Sequence, residues 1–390
     1  MNKAEIVIIG GGVVGASVAF HLTERGYRDV LILERANVQG TGSTGAATGG
    51  VRAQFETDIN IRMSLYSLDF LKNWEFDCEY EPKGYLFFAT TKDQLEYLKA
   101  NTERQRELGV RGVSPVDVDA IKEIVPGLHC EDIVGGVFGK QDGFVNPLAI
   151  MRGFTEAALR NGAKIEFNCD VTSLISQQGK IIGVETSKGR IDCAGVVVCS
   201  GAWAREIAAT AGINVPVEPQ RRQIVWARTE EPIDPHLPMV IDIGSGFHFR
   251  PARDFRGGTF DTEREVLFAY PDPDERSGFD TDFNEGFIDK VYAHARHRAP
   301  FLADSIVLRE KCRAGLYENT PDHHAILGGC DVDGLYLAVG FSGHGVMHSP
   351  ATGRALAEII CDGRARFIDV SCLSLDRFNK GELLREAAFI

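Results

Sequence analysis

The chain has no CxxC pair among its nine cysteines, and no second G-x-G-x-x-G follows the one that opens at Gly10. The first absence excludes a dithiol relay and the paired-cysteine zinc spacings; the second excludes a second dinucleotide site. Lysine is missing from the whole stretch between Lys188 and Lys290. An excess of positive charge is missing too: a net charge of −13 weighs against nucleic acid and anionic membrane surfaces as partners. The one uncharged stretch that mimics a targeting signal, Ile6 to Phe20, is interrupted by Gly10, Gly11, Gly12 and Gly15. It follows Glu5, leads to no small-residue cleavage site, and is too short to span a bilayer. The odd cysteine count, with Cys193 and Cys199 in apolar runs, predicts reduced, mostly buried thiols and a cytoplasmic protein.

What is present is ordinary for a globular chain: 44% hydrophobic and 25% charged residues, with 390 residues, enough for two cores. The run Ala4-Glu5-Ile6-Val7-Ile8-Ile9 predicts a buried parallel strand, then a helix to about Arg25 with Gly26 as its C-cap. Val30-Leu31-Ile32-Leu33 predicts a second such strand ending at Glu34, which completes one βαβ unit. Helices are expected over 57–75, 92–109, 145–162 and 283–298, short strands over 164–199, and a mostly antiparallel sheet over 215–275. Leu335 to Val339 reads as a strand. Ser349 and Pro350 suit an N-cap and a first helical position, which predicts a helix from about Pro350 to Cys361. The fold class implied is α/β, with one domain assembled from separated segments.

Gly10-Gly11-Gly12-Val13-Val14-Gly15 places G-x-G-x-x-G between the first strand and the first helix. Gly10 suits the tight turn, Gly12 lets the backbone approach a pyrophosphate, and Gly15 lets helix and strand pack closely. The helix N-terminus then offers N–H groups and a positive dipole end to phosphates. Glu34 follows about twenty residues beyond Gly15, where an acid suits an unphosphorylated ribose. NAD and FAD both fit that much. With one dinucleotide motif and no redox CxxC, the electrons must come from the substrate itself, which favours FAD.

Residues 42–52 read GSTGAATGGVR, a run of small residues that ends in one arginine. Such a run lets backbone lie directly against a ligand. Together with GGGVVG at 10–15, CSGAWA at 199–204, GLYENTPD at 315–322 and GFSGHGVMHSPATG at 340–353, it makes the chain resemble the D-amino-acid-oxidase-type superfamily of FAD-dependent oxidoreductases. The resemblance covers nearly the whole length. Sarcosine oxidases, flavoprotein subunits of proline and sarcosine dehydrogenating complexes, and dimethylglycine dehydrogenases are the nearest look-alikes. It implies a Rossmann-like FAD domain of glutathione-reductase type over 1–80, 145–215 and 320–390. A mainly antiparallel substrate domain would take 81–144 and 216–319.

The resemblance also assigns contacts. Those to FAD would come from Gly10, Gly12, Val13, Val14, Gly15, Glu34 and Arg35, and from Gly42, Ser43, Thr44, Ala47, Thr48, Gly49 and Gly50. Val171, Ser200, Gly201 and Trp203 would add to these, with Gly343, His344, Gly345, Val346 and Met347 at the flavin's pyrimidine end. Arg52 falls where sarcosine oxidases set an arginine against the substrate carboxylate, and Tyr317 where they have a pocket tyrosine. His344 and Met347 complete the catalytic set; a histidine in such a turn serves equally well as a structural hydrogen-bonding group.

Four departures from the resembled enzymes matter. Gly315 stands where monomeric sarcosine oxidases carry a flavin-bonding cysteine, and Ala46 where dimethylglycine-type enzymes carry a flavin-bonding histidine. FAD is therefore expected to be non-covalent. Met347 replaces the lysine that is the second carboxylate partner in sarcosine oxidases, leaving the adjacent His348 as a candidate. The oxygen-activating lysine of the oxidases has no counterpart in the lysine-free stretch, which offers His248 and Arg250 instead. The run Arg221-Arg222-Gln223 resembles the proline-dehydrogenase-like subunits.

The reading is oxidation of a secondary amine or amino acid of sarcosine, proline or N-alkyl type to an imine, by hydride transfer to flavin N5. A dehydrogenase, passing electrons to a quinone, a carrier or a partner subunit, is favoured over an oxidase. A flavoenzyme for 2-hydroxy acids or primary D-amino acids is the alternative within the class. A FAD-binding complex subunit or assembly factor with little turnover is the alternative outside it. No metal, nucleic-acid partner or transmembrane segment is expected.

Overall fold

The strand Ile6–Ile9 is buried along its whole length at the heart of a six-stranded sheet. The computed structural model describes residues 2–253 and 261–386. From one edge the order is Ile326–Gly329, Leu335–Val339, Gly195–Val198, Ile6–Ile9, Val30–Leu33 and Lys164–Glu166. All neighbours are parallel except the first pair. Parallel strands covered on both faces need apolar side chains throughout. Ile6 and Ile8 accordingly pack with residues of the helices Val13–Glu24, Pro147–Arg160 and Gly345–Asp362. Val7 and Ile9 pack the other way, onto Val171, Leu174 and Val184 of a three-stranded antiparallel sheet.

A second, nine-stranded sheet carries the opposite wall of the site. Its middle runs Glu218–Arg228, Glu265–Ala269, His248–Pro251, Met239–Asp242, Tyr85–Ala89 and Gly135–Gly139, with Arg313–Asn319 also paired to the first of these. The pairing is antiparallel except between Met239–Asp242 and Tyr85–Ala89, which are parallel. Alternation sorts its faces: Leu86, Phe88, Val240, Phe249 and Phe268 pack on the helices Val118–Ile124 and Gly286–Arg298. Tyr85, Met239, Ile241, His248 and Ala269 face the cavity described below. Within the expected 215–275 sheet, residues 254–260 lie outside the described residues.

The last long helix corrects the sequence expectation. It spans Gly345–Asp362, with His344 at its N-cap and Pro350 inside it. Proline has no N–H for the carbonyl one turn back, that of Val346. Ser349 Oγ donates to that carbonyl at 2.9 Å and so replaces the missing bond. Ser349 is thus a repair inside the helix rather than its cap, and the helix starts at the GHG turn itself. The run 42–50, which favours neither helix nor strand by composition, forms one helical turn at Ser43–Ala46 and a short strand at Gly50–Val51. All nine cysteines are free thiols, with Cys193 and Cys199 buried. No described helix is long and apolar enough to cross a membrane.

Candidate functional site

A cavity of about 600 Å³ lies between the two sheets. Glu34 and Arg35 line one part of it, and Arg52, Tyr317 and His248 another. Gly10 turns the chain with φ +104, and a Cβ there would lie 2.5 Å from the Cys199 carbonyl oxygen. Gly15 acts differently, since a Cβ on it would collide with the Gly10 carbonyl, and so it sets how closely helix and strand pack. The helices Val13–Glu24 and Gly345–Asp362 both start at the cavity, with Val13, Val14, Gly345, Val346 and Met347 in its wall. They are locked side by side, Ser17 Oγ donating to the Ser349 carbonyl at 2.7 Å. Two positive helix ends therefore face one space, which suits anionic parts of a ligand.

The small-residue run is pinned from several directions. Thr44 Oγ1 accepts from the Val13 N–H at 3.1 Å, and Ser43 Oγ donates to the Leu316 carbonyl at 2.7 Å. Arg250 donates to the Thr48 carbonyl, and Arg313 to that of Ala46 at 3.3 Å. Arg250 is thus a strut behind the run and not part of the cavity wall. Glu34 accepts from the N–H groups of Gly11 and Ala36 at 3.0 and 2.9 Å, while still lining the cavity. The Arg35 guanidinium lies 3.5 Å from the Trp203 ring centroid, and Trp203 stacks on Phe279.

Arg52 is only 4% exposed. It donates to the Gln54 carbonyl and lies 3.9 Å over the Phe55 ring. No carboxylate among the described residues comes within ion-pair distance of it. Glu386 and Asp142 favour its charge from farther away but are tied elsewhere, Glu386 to the Glu56 N–H at 2.8 Å and Asp142 to Ala53 N–H and Gln54 Nε2, both at 2.8 Å. Burial drives the Arg52 pKa down, an imbalance that a bound anion would relieve. Tyr317 stands beside Gly343, whose φ of +94 and lack of a side chain leave room for the ring. Burial raises the Tyr317 pKa, so its hydroxyl stays a donor. Burial depresses the pKa of both His248 and His344, helped by Arg222, Arg250 and Arg52 at the first and by Arg52 and neighbouring histidines at the second, which makes these rings neutral and poor bases.

Of the sequence-predicted site residues, all line this cavity except Gly15, which packs beneath it. His348, the adjacent candidate, does not reach it; its Nε2 pairs with Ser64 Oγ at 3.0 Å. Tyr85, Arg222, Met239, Ile241 and Glu318 line it as well and were not in the predicted set. The Tyr85 hydroxyl rests directly against Gly50. Glu318 Oε2 and Ser200 Oγ are buried without a hydrogen-bond partner.

The family model for FAD dependent oxidoreductases of DAO type matches residues 5–359. The chain belongs to this family. Among DAO relatives, "FAD-dependent oxidoreductase domain-containing protein 1" of Xenopus laevis is 30% identical, over 99% of this chain and 84% of that protein. The 4-methylaminobutanoate oxidase (formaldehyde-forming) of Paenarthrobacter nicotinovorans is 30% identical over 96% of this chain but only 45% of its own length. The crystal structure of L-proline dehydrogenase from P. horikoshii superposes with a TM-score of 0.88 at 30% identity, covering 98% of this chain and all of that one. FAD, the family's cofactor, fits this cavity. The glycine turn leaves backbone open, two helix ends supply positive potential, and Ser200 and Glu318 present polar atoms that the protein itself does not satisfy.

Proposed function

We propose that this FAD-dependent oxidoreductase oxidises a secondary amine or N-alkyl amino acid to the imine, and works as a dehydrogenase. The observation that carries the reading is Arg52: a buried guanidinium in the cavity wall without an acid of its own. A substrate carboxylate is the partner that its planar fork fits. The names of an L-proline dehydrogenase and a methylaminobutanoate oxidase among the 30%-identical relatives support an amine with an acid group.

FAD, when bound, supplies the two-electron acceptor. The turn at Gly10–Gly12, Thr44 and the run to Gly50 would hold it, with non-covalent binding because Ala46 and Gly315 offer no nucleophile. Arg52 and the Tyr317 hydroxyl orient the acid end of the substrate. Met239, Ile241 and Ala269 add apolar wall beside these polar groups, which helps exclude water. Among the described residues neither cavity histidine serves as a base, since His248 and His344 are held neutral and weakly basic. The guanidinium field disfavours an ammonium, so the amine enters as the free base, and positioning supplies much of the rate.

No described cavity-lining residue is a lysine, which supports a dehydrogenase over an oxidase. The test is an anaerobic screen of sarcosine, proline and N-methyl amino acids for bleaching of the yellow flavin, followed by reoxidation with air or with a quinone. Bleaching by such an amine and fast reoxidation only by the quinone are expected. Failure of every amine to bleach it overturns the substrate reading, and rapid reoxidation by air overturns the dehydrogenase assignment.

A further inference from the structure

Arg221 and Arg222 are adjacent on the strand Glu218–Arg228, and their surroundings differ completely. Arg221 pairs with Glu275 at 2.9 Å and Asp280 at 2.5 Å. Arg222 turns into the cavity, where no carboxylate among the described residues comes within ion-pair distance. Its guanidinium carbon lies 5.3 Å from the Tyr317 ring centroid, and its Nε is buried without a partner. Among the described residues its guanidinium makes a long 3.4 Å bond to the Arg221 carbonyl. Burial destabilises the charge of Arg222 as it does that of Arg52, and both charges are felt at Tyr317 and His248.

Two uncompensated guanidiniums therefore face one space. They come from different elements, Arg52 from the end of the small-residue run and Arg222 from the opposite sheet. We propose that Arg222 is the second cation of the substrate site and that it grips, together with Arg52, the carboxylate of the amino-acid substrate. The inference rests on the amino-acid reading above. It also accounts for Met347: the carboxylate partner absent from the GHG turn is supplied by the facing sheet, with Tyr317 feeling the charge of both arginines. A shared carboxylate completes the hydrogen bonding of both forks and cancels the charge that makes their burial unfavourable.

The test uses the FAD-loaded protein and two probes of one shape, pyrrole-2-carboxylate and pyrrole-2-carboxamide, titrated by the perturbation of the flavin spectrum. Wild-type protein should prefer the carboxylate. Arg222→Met should weaken the carboxylate about tenfold or more while leaving the amide and the FAD content unchanged, and Arg222→Lys should retain part of the affinity. Combining Arg52→Met with Arg222→Met should cost less than the product of the two single losses, since one carboxylate serves both. Wild-type affinity in Arg222→Met overturns the proposal while leaving the amino-acid reading intact. Loss of FAD from both Arg222 variants assigns the arginine to the cofactor and also overturns it. No preference for the carboxylate in wild-type protein removes the amino-acid reading and the proposal together.

Discussion

Gly315 and Ala46 stand face to face in the cavity wall, so close that a Cβ on Gly315 would lie 2.6 Å from the Ala46 Cβ. In the resembled covalent flavoenzymes these two positions carry the cysteine and the histidine that bond the flavin. Here each keeps the other small. Acid denaturation should therefore release the flavin into the supernatant. Gly315→Cys should lower FAD occupancy and cost about 1–3 kcal/mol of stability through overpacking. Adding Ala46→Gly should restore much of both. Flavin-to-protein ratios and melting temperatures check this, and an unchanged melting temperature in Gly315→Cys would show that the contact yields freely.

Arg52 makes a narrower prediction. Arg52→Met should raise the dissociation constant of a carboxylate ligand by about thirtyfold or more, the loss expected when one partner of a buried charged pair is removed at a cost of about 2 kcal/mol or above. FAD should remain bound, because the run at 42–50 is pinned by Thr44, Arg250 and Arg313 and not by Arg52. Turnover that is indifferent to this substitution for every amine would reduce Arg52 to a structural charge.

Glu318 gives the molecule a pH dependence near neutrality. Burial raises its pKa from 4.5 to about 7, against the opposing effect of the Gly340 and Phe341 N–H groups. An acid with a raised pKa in the folded state binds its proton more tightly there than in the unfolded chain. Its folded state therefore loses stability as pH rises from about 4.5 to about 7, and the loss persists above that. Glu318→Gln should raise the melting temperature of the FAD-free protein at about pH 8 and leave it unchanged at about pH 4. Thermal scans at the two pH values decide it; equal shifts at both would mean that the carboxyl does not titrate in this range.

The bond from Ser349 to the Val346 carbonyl makes a fourth prediction. Ser349→Ala leaves that buried carbonyl without a donor and should cost about 1–3 kcal/mol in urea unfolding. Pro350→Ala returns a backbone N–H to the same carbonyl, so the double substitution should recover most of the loss. If the double variant is no more stable than Ser349→Ala, the helix does not depend on that exchange of donors.

The sequence by itself determined the βαβ unit, the glycine turn and the run at 42–50, because these depend on short-range spacing. Ile6 to Ile9 must be buried on both faces whatever surrounds them, Gly10 answers the positive φ of the turn itself, and Gly15 answers a contact made within one strand–turn–helix. Local spacing also misled once: Ser349 and Pro350 have the residue types of a helix start, yet the Ser349 hydroxyl lets the helix run back to the GHG turn. Only the tertiary structure decided the rest. Arg221 and Arg222 are the same residue type in adjacent positions, and sheet register alone sends one to Glu275 and the other into the cavity. Arg52, Arg222 and Tyr317 are far apart along the chain, and which cations lack an acid is a property of three-dimensional neighbours. The likeness of residue types could point to a flavin; the shortage of counter-charges, which sets the substrate's chemistry, exists only once the chain is folded.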